Sequence, residues 1–188
     1  PVFSVCGAAT VFHRAALERL KMDGQYYDED FFIFWEDFDI GWRAQLLGMN
    51  VLFYPGAVTY HYRSGTLDKN KNVFARFSLA LARPGLIKYH LVKNRYLTLI
   101  KNFRFKTDCH RLPFVFLKDL IWVPMLTFSS PKIIIDLMTS GKYVKRAIKK
   151  RRQLKRRQLR HRRDTPGNGH SDAALPGKNN MGTGTNNE

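Results

Sequence analysis

The chain has 188 residues and a formal net charge of +17, but the charge is concentrated in one run. Thirteen Lys or Arg and no acid lie between Lys142 and Arg163, which leaves +4 for the rest of the chain. Two cysteines exclude a disulfide framework and their spacing fits no zinc motif, so a reducing compartment is expected. Hydrophobic residues make up 44% of the chain, enough for one cored domain with appendages.

The first part of the chain is predicted to begin with a strand followed by two helices. Val2 to Phe12 is a run of small and apolar residues, which is typical of a buried strand. Ala15 to Met22 has helical spacing, and Gly24 follows it as a stop. A second helix is predicted from Glu36 to Leu47, because acids crowd its first turn and Gly48 supplies the C-terminal stop.

Two short strands and two more helices are predicted next. Strand character occurs at 50–54 and 57–62, on either side of a turn at Pro55-Gly56. Together with the first strand, these elements predict a mixed α/β sheet over residues 1–62. The polar stretch 63–72 is predicted to be a loop, and the helices after it are Val73–Leu81 and Leu86–Phe103.

The last part of the chain is hydrophobic, then basic, then poor in apolar residues. The stretch 112–138 is apolar but contains Lys118, Asp119, Pro124 and Pro131, whereas a spanning helix needs about 20 uninterrupted apolar residues. We therefore expect amphipathic or re-entrant segments at a membrane interface, not a clean transmembrane helix. The predicted divisions are a folded unit at 1–105, interfacial helices at 106–141, a basic helix at 142–163 and a disordered tail at 164–188.

The most informative pattern lies between Gly24 and His61. It contains a glycine, an aromatic-Asp-Glu, a Phe-Phe, a Glu-Asp-x-Asp, an Arg, a glycine, a Tyr-Pro and a His. These are Gly24, Tyr27-Asp28-Glu29, Phe31-Phe32, Glu36-Asp37-Phe38-Asp39, Arg43, Gly48, Tyr54-Pro55 and His61. Flanking matches are Val5-Cys6-Gly7-Ala8-Ala9, Arg14 and Lys93-Asn94-Arg95. With these residues, roughly 1–105 resembles the C-terminal half of family 2 glycosyltransferases, especially the rhamnosyl- and galactofuranosyltransferase-like members.

The resemblance implies both a fold and an activity. The fold would be α/β: the C-terminal half of a Rossmann-like GT-A glycosyltransferase domain. The activity would be inverting transfer, of the hexosyltransferase type, from a nucleotide-diphosphate sugar to a hydroxyl of a glycan or lipid-linked acceptor in cell-surface polysaccharide synthesis. Because the chain begins with Pro1 inside a strand-like run, we expect the donor-binding half to precede it and this part alone to be inactive.

Asp37 is the catalytic residue that the resemblance implies. In inverting transfer an acceptor hydroxyl loses its proton as it attacks the anomeric carbon, and a carboxylate general base can accept that proton. The family's base is the Asp of the Glu-Asp pair. The alternative is that Glu36, Asp37 and Asp39 are only helix N-terminal acids. Asp39 is predicted to be structural, since it lies four residues before Arg43, the spacing of an intrahelical ion pair.

His61 is the metal ligand that the resemblance implies. It would be the third protein ligand of a Mg²⁺ or Mn²⁺ ion on the donor diphosphate, and the Asp-x-Asp ligands are expected upstream of this chain. The metal would neutralise charge on the departing nucleotide. The alternative is an ordinary polar residue at a strand end.

Several further residues are candidates for substrate binding, each with an ordinary structural alternative. Gly7 and Ala8 would let a sugar approach the backbone closely, or would only pack in a strand. Trp35 would stack on an acceptor sugar, while Trp42 is predicted to lie in the core. The remaining candidates are Glu36 beside the base, Arg63 and Ser64 as diphosphate contacts or a solvated loop, and Asp28 and Glu29 as acceptor-side or structural acids.

Two other classes of protein compete with the enzyme. A basic nucleic-acid-binding protein is supported only by the run 142–163, and no nucleic-acid-binding motif accompanies it. A membrane-surface protein is supported by apolar segments followed by clustered cations, which suit anionic lipid. We combine the second with the enzyme: a peripheral protein at the cytoplasmic face of the membrane, acting on a nucleotide sugar and a glycan or lipid-linked acceptor, with no specific nucleic acid partner.

Overall fold

The computed structural model describes residues 1–61, 72 and 78–164, without the side chains of Arg162 and Asp164. Its helices are α1 (Arg14–Leu20), α2 (Glu36–Leu46), α3 (Gly85–Asn102), α4 (Phe105–Asp108), α5 (Leu112–Phe128), α6 (Lys132–Met138) and α7 (Gly141–Asp164), and its 3₁₀ turns are Gly7–Ala9 and Cys109–Arg111. Residues 78–81 are also helical. Arg63, Ser64, the predicted loop at 63–71, the start of the predicted Val73 helix and the tail from Thr165 lie outside the described residues.

Several helices form where the sequence predicts them. The predictions for α1, α2, α3 and the basic helix α7 are confirmed to within two residues at each end. Three acids occupy the first turn of α2, where they complement the positive end of the helix dipole. The predicted stop is also confirmed, because α2 ends just before Gly48, whose φ of +71° suits a residue without a Cβ atom.

The predicted strands are not formed. Across 1–61, 72 and 78–164 no residue lies in a strand, and the extended pairing found there is an isolated bridge between Met22 and Gln25. Segments 2–12 and 50–61 touch through a hydrogen bond from the Val2 N–H to the Val51 carbonyl at 2.8 Å. A strand is stabilised by a neighbouring ladder and by burial of one face, and the side chains of 52–61 are exposed here. The mixed α/β sheet predicted for 1–62 is therefore not confirmed in the described residues.

One buried cluster ties the two ends of the described chain together. It contains Leu20 and Met22, the α2 residues Ile40, Trp42, Ala44 and Leu46, and also Leu47, Phe103 and Leu154. Leu154 belongs to α7, whose buried residues Ala147, Lys150 and Leu154 recur at helical spacing. The basic run is therefore not separate from the folded unit predicted at 1–105, because one face of α7 is part of the core.

A buried network of charges crosses from α2 to α3 and α7. Asp39 pairs with Arg43 at 3.0 Å and with Lys101 at 2.8 Å, which confirms its predicted structural role. Lys101 also pairs with Asp28 at 2.6 Å, and Asp28 pairs in turn with Lys150 at 2.5 Å. Of the two roles left open for Asp28, the structural one is observed. Buried charges are tolerated when each has an opposite partner, as here.

Helices α5 and α6 are apolar and largely exposed. Asp119, the acid inside α5, pairs with Arg95 of α3 at 2.7 Å, so its charge is turned toward the protein. No single helix in the described part of the chain is long and apolar enough to cross a membrane. The bent pair Phe105–Phe128 and Lys132–Met138, with a 113° angle between its parts, meets that requirement by length and composition.

Candidate functional site

The acidic start of α2 is preceded by a strained loop. Phe32, Phe34 and Trp35 all have positive φ, between 60° and 72°, a conformation that costs energy for residues with bulky side chains. The buried Asn94 of α3 holds this loop. Its side-chain amide donates to the carbonyls of Phe31, Ile33 and Phe34 at 2.6 to 2.9 Å. The surrounding structure thereby fixes the backbone that leads into Glu36 and Asp37.

Asp37 is half-buried, and the segment before α1 holds it in place. Its Oδ2 accepts the backbone N–H of Gly7 at 3.1 Å, and its Oδ1 accepts the N–H of Phe38 at 2.7 Å. Its carbonyl accepts the Ser4 hydroxyl at 2.9 Å. A Cβ atom at Gly7 would lie 3.4 Å from the Cβ of Asp37. The structure therefore brings together Gly7 and Asp37, two residues that the sequence singles out.

A second glycine allows α2 to approach this segment. A Cβ atom at Gly41 would lie 3.0 Å from the Cα of Ser4 and only 2.6 Å from its Cβ, a distance that real Cβ atoms essentially never show. The contact is what lets Ser4 reach the carbonyl of Asp37. Gly41 and Ser4 thus set the distance between α2 and the 4–7 segment, although neither contacts the carboxylate of Asp37 in the structure.

Glu36 and Tyr27 share the electrostatic environment of Asp37. Burial is the main cause that raises the pKa of the Glu36 carboxyl above its usual value; the Asp37 charge adds to the rise and a backbone hydrogen bond opposes it. The Oε2 of Glu36 is buried and has no hydrogen-bond partner within the described structure. Burial also raises the pKa of the Tyr27 hydroxyl, and the charges of Asp37 and Glu36 add to that rise. Two carboxyls with different environments are suited to different roles.

A cleft of about 280 Å³ opens beside Asp37. Tyr27 lies on one wall and α2 forms another through Ile40 and Gly41. The 9–13 segment and residues 49–52 complete it. A volume of this order admits one small polar group or part of a sugar, with a carboxylate at its edge.

The other predicted substrate residues have mixed surroundings. Ala8 is exposed in the 3₁₀ turn beside Asp37. The Trp35 ring packs edge-on against Phe38, with centroids 5.3 Å apart, and the Arg95 guanidinium lies 5.7 Å from it. Its predicted stacking on a sugar stays a prediction. Trp42 is buried in the core, which confirms that part of the interpretation.

The predicted metal ligand, His61, has no further metal-binding side chains grouped with it in the part of the chain that the structure describes. His61 is exposed and lies outside any helix or strand. Among residues 1–61, 72 and 78–164, no group of three His, Cys, Asp or Glu side chains is placed to hold a metal ion. The described residues therefore do not by themselves fit a Mg²⁺ or Mn²⁺ site.

Four residues that shape the site received no role from the sequence. A glycine inside a helical pattern signals close packing, so Gly41 had a usable signal. Tyr27 and Asn94 stand within the matched motifs, but their contacts join parts of the chain that are far apart in sequence. Ser4 offered no signal at all.

Comparison with known proteins tests the resemblance to family 2 glycosyltransferases. No curated protein and no solved structure matches the chain. A family model described as Glycosyl transferase family group 2 matches residues 1–140, which is most of the chain. That match confirms the resemblance seen in the acidic motif and its flanking residues. The chain belongs to glycosyl transferase family group 2.

Proposed function

We propose that the chain supplies the acceptor-side, catalytic-base part of an inverting glycosyltransferase. The donor would be a nucleotide-diphosphate hexose and the acceptor a hydroxyl of a glycan or lipid-linked sugar in cell-surface polysaccharide synthesis. The observation that carries the proposal is the placement of Asp37: its carboxylate is held by the N–H groups of Gly7 and Phe38 at the edge of a cleft. A carboxylate fixed in this way can accept a proton from a hydroxyl that enters the cleft.

In the proposed step, an acceptor hydroxyl donates its proton to a carboxylate oxygen of Asp37. As the new bond forms between the acceptor's hydroxyl oxygen and the anomeric carbon, the bond from the anomeric carbon to the nucleotide diphosphate breaks and the diphosphate departs. Each Asp37 oxygen accepts one N–H, which leaves lone pairs for the incoming proton. Glu36, with its raised pKa, lies beside the base, where it can bind an acceptor hydroxyl.

Substitution of Asp37 tests the proposal directly. Asp37→Asn preserves the size of the side chain but removes the proton acceptor, so we expect kcat to fall by about 10²-fold or more with KM nearly unchanged. The measurement is steady-state kinetics in a polypeptide that contains this chain together with a nucleotide-sugar-binding half. Without that half, we expect no transferase activity.

Two neighbouring acids are the controls for Asp37. Glu36→Gln should cost less activity than Asp37→Asn. Asp39→Asn should act mainly by lowering the free energy of unfolding, because Asp39 is buried between Arg43 and Lys101. Near-normal turnover in Asp37→Asn, or a larger loss in Glu36→Gln, would remove Asp37 from the role of base.

The metal requirement is a separate proposal that rests on the resemblance. A divalent ion would supply charge neutralisation on the departing diphosphate. His61 would be one ligand, and the others would come from outside the described residues. In the same polypeptide, His61→Ala should raise the Mg²⁺ or Mn²⁺ concentration needed for half-maximal activity. An unchanged metal dependence in this variant would contradict the ligand role.

The α/β fold, the membrane surface and the cytoplasmic location are also proposals. A GT-A sheet would require segments 2–12 and 50–61 to pair with strands outside the described residues; a structure with the donor-binding half that lacked this pairing would contradict it.

The exposed apolar residues of α5 and α6 favour a lipid surface over a nucleic acid partner, because nucleic acid binding would not require them. Tight binding to duplex DNA at physiological salt would instead favour a basic nucleic-acid-binding protein.

A further inference from the structure

A second cleft lies away from Asp37, where α4 and α7 meet the C-terminal ends of α2 and α3. Its volume is about 530 Å³, larger than that of the cleft beside Asp37. One wall is apolar, formed by Leu46, Phe103 and Leu154, which also belong to the core. At its rim are Phe105 and Leu159, whose exposed fractions are 69% and 51%.

Cations line the rest of this cleft. Arg104 comes from the α3–α4 connection and Lys106 from α4, while Arg151 and Lys155 come from successive turns of α7. No carboxylate lies within 4.0 Å of the charged nitrogens of these four residues in the part of the chain that the structure describes. The nearest acid in sequence, Asp108, is buried and accepts the backbone N–H of Arg104 at 2.9 Å.

The hydrogen bonding of Arg104 points to a missing acceptor. Its Nε atom is buried and has no partner among the described residues. A buried charged donor without an acceptor is costly, so the Nε of Arg104 calls for an acceptor from outside the protein, which a water or a ligand can supply. By contrast, Lys101, which also lines the cleft, is already paired with Asp28 and Asp39, so its charge is satisfied within the protein.

We propose that this basic cleft binds a phosphate group that carries an apolar chain. Arginine and lysine together suit phosphate oxygens, since guanidinium groups bind them in a forked geometry and ammonium groups add charge. The apolar wall and the exposed rim at Phe105 and Leu159 would contact the chain. A fully hydrated anion such as free phosphate would leave this apolar surface unused.

The site is distinct from the proposed reaction centre. Asp37 is in the first turn of α2 and Leu46 is its last residue, so the helix rise separates them by about 13 Å along the axis. The ligand of the basic cleft is therefore not the acceptor hydroxyl that Asp37 would deprotonate. The proposal does not depend on the transferase activity.

Binding to the full 188-residue chain tests the site. Titration calorimetry with n-decyl phosphate below its micelle concentration, inorganic phosphate and n-decyl maltoside separates the headgroup from the chain. We expect n-decyl phosphate to bind at least about tenfold more tightly than either of the other two probes, because both the charge and the buried methylenes contribute.

Matched charge removals decide where the probe binds. Lys106→Gln with Lys155→Gln removes two exposed cations of the cleft and should weaken n-decyl phosphate binding by about tenfold. The control, Lys142→Gln with Lys145→Gln, removes two exposed cations at the start of α7 that do not line the cleft, and should change the affinity by less than about twofold. Circular dichroism checks that both variants keep their helices.

The outcomes separate the proposal from its rivals. Equal weakening in the two double variants would show general attraction to a basic protein and overturn the site. Equal affinity for inorganic and decyl phosphate would overturn the apolar part of the proposal and leave a free phosphate site. No measurable binding of n-decyl phosphate to the unmodified chain would overturn both.

Discussion

Asn94 shows how one side chain distant in sequence can determine the geometry of the candidate site. It is fully buried on α3, and its side-chain amide donates hydrogen bonds to three carbonyls of the loop that leads into α2. The neighbouring Lys93 adds a bond from its Nζ to the Asp30 carbonyl at 2.6 Å. Three residues with positive φ persist in that loop because these donors compensate for their strain.

Removing the Asn94 amide should therefore affect both stability and catalysis. Asn94→Ala leaves the carbonyls of Ile33 and Phe34 without their donor, and we expect the free energy of unfolding to fall by at least about 2 kcal/mol. In the active polypeptide, kcat should fall more than KM changes, because relaxation of the loop would displace the start of α2 and with it Asp37. Urea denaturation and steady-state kinetics measure the two effects.

The control for Asn94 lies one turn further along the same helix. Thr98 is also fully buried, but its hydroxyl donates to the Asn94 carbonyl within α3 and not to the loop. Thr98→Ala should lower stability with a proportionate, smaller effect on kcat. If the two variants lowered kcat to the same extent, Asn94 would have no positioning role.

At the scale of elements, charges hold α7 against the rest of the protein. Burial would raise the pKa of Asp28, but Lys101 and Lys150 outweigh that effect and hold it at about 2. Burial likewise tends to lower the pKa of Lys150, yet Asp28 and Asp30 raise it overall. The charged forms of both partners are therefore favoured in the folded protein.

The lowered pKa of Asp28 predicts a particular pH dependence. Because its folded value of about 2 lies below the unfolded value of 3.8, its stabilisation is present above pH 3.8 and is lost as the pH falls toward 2. That shift corresponds to about 2 kcal/mol at neutral pH. Asp28→Asn should remove this contribution. The free energy of unfolding of the variant, measured in urea, should therefore fall less steeply between pH 4 and pH 2 than that of the unmodified chain.

An acid that contacts the same helix from the surface is the control. Asp23 accepts a hydrogen bond from Gln153 at 2.6 Å and pairs with Lys149 at 3.5 Å, where both side chains are more exposed than those of the Asp28–Lys150 pair. Asp23→Asn should have a smaller effect on stability that added salt reduces. An equal loss in the two variants would contradict the importance of the buried network.

The helices were predictable from sequence because their signals are local. The acids at the start of α2, the glycine after it and the apolar spacing of α1 and α3 all lie within a few residues of the structure they determine. The strands were not predictable in this way, since a strand forms only beside a partner and segment 50–61 has exposed side chains in the described structure. The sequence also indicated Asp37 and Gly7, but their hydrogen bond across 30 residues became visible only in the fold.

For the whole molecule, the main correction concerns the basic C-terminal part. The run 142–163 combines an inward face, with Ala147, Lys150 and Leu154 buried, and an outward face of exposed cations such as Lys145 and Arg152. Removing the chain from Leu112 onward would thus expose Asp28 and part of the core. A deletion would therefore disturb the core as well as remove α5 and α6, so surface substitutions are the cleaner test of membrane attachment.

Attachment to a membrane should survive high salt because it has an apolar part. The side chains of Phe114, Leu120 and Phe128 on α5 are 75%, 74% and 81% exposed, more apolar surface than a protein in water usually leaves uncovered. On vesicles that contain anionic phospholipid, raising the ionic strength to about 1 M shortens the screening length to about 3 Å and removes the contribution of the basic residues. We expect the chain to be only partly released, since the apolar contacts remain.

Changing Phe114, Leu120 and Phe128 to serine should make release from the vesicles at high salt complete. Vesicle sedimentation at low and high salt measures the release. The matched control changes three similarly exposed residues outside the helices, Leu52, Phe53 and Val58, to serine. It should sediment like the unmodified chain, since its α5 is intact. Complete release of the unmodified chain by salt would show that attachment is purely electrostatic, and equal loss in both variants would mean that α5 has no special part in it. Absence of sedimentation with vesicles at low salt would exclude a membrane surface as the partner of this face.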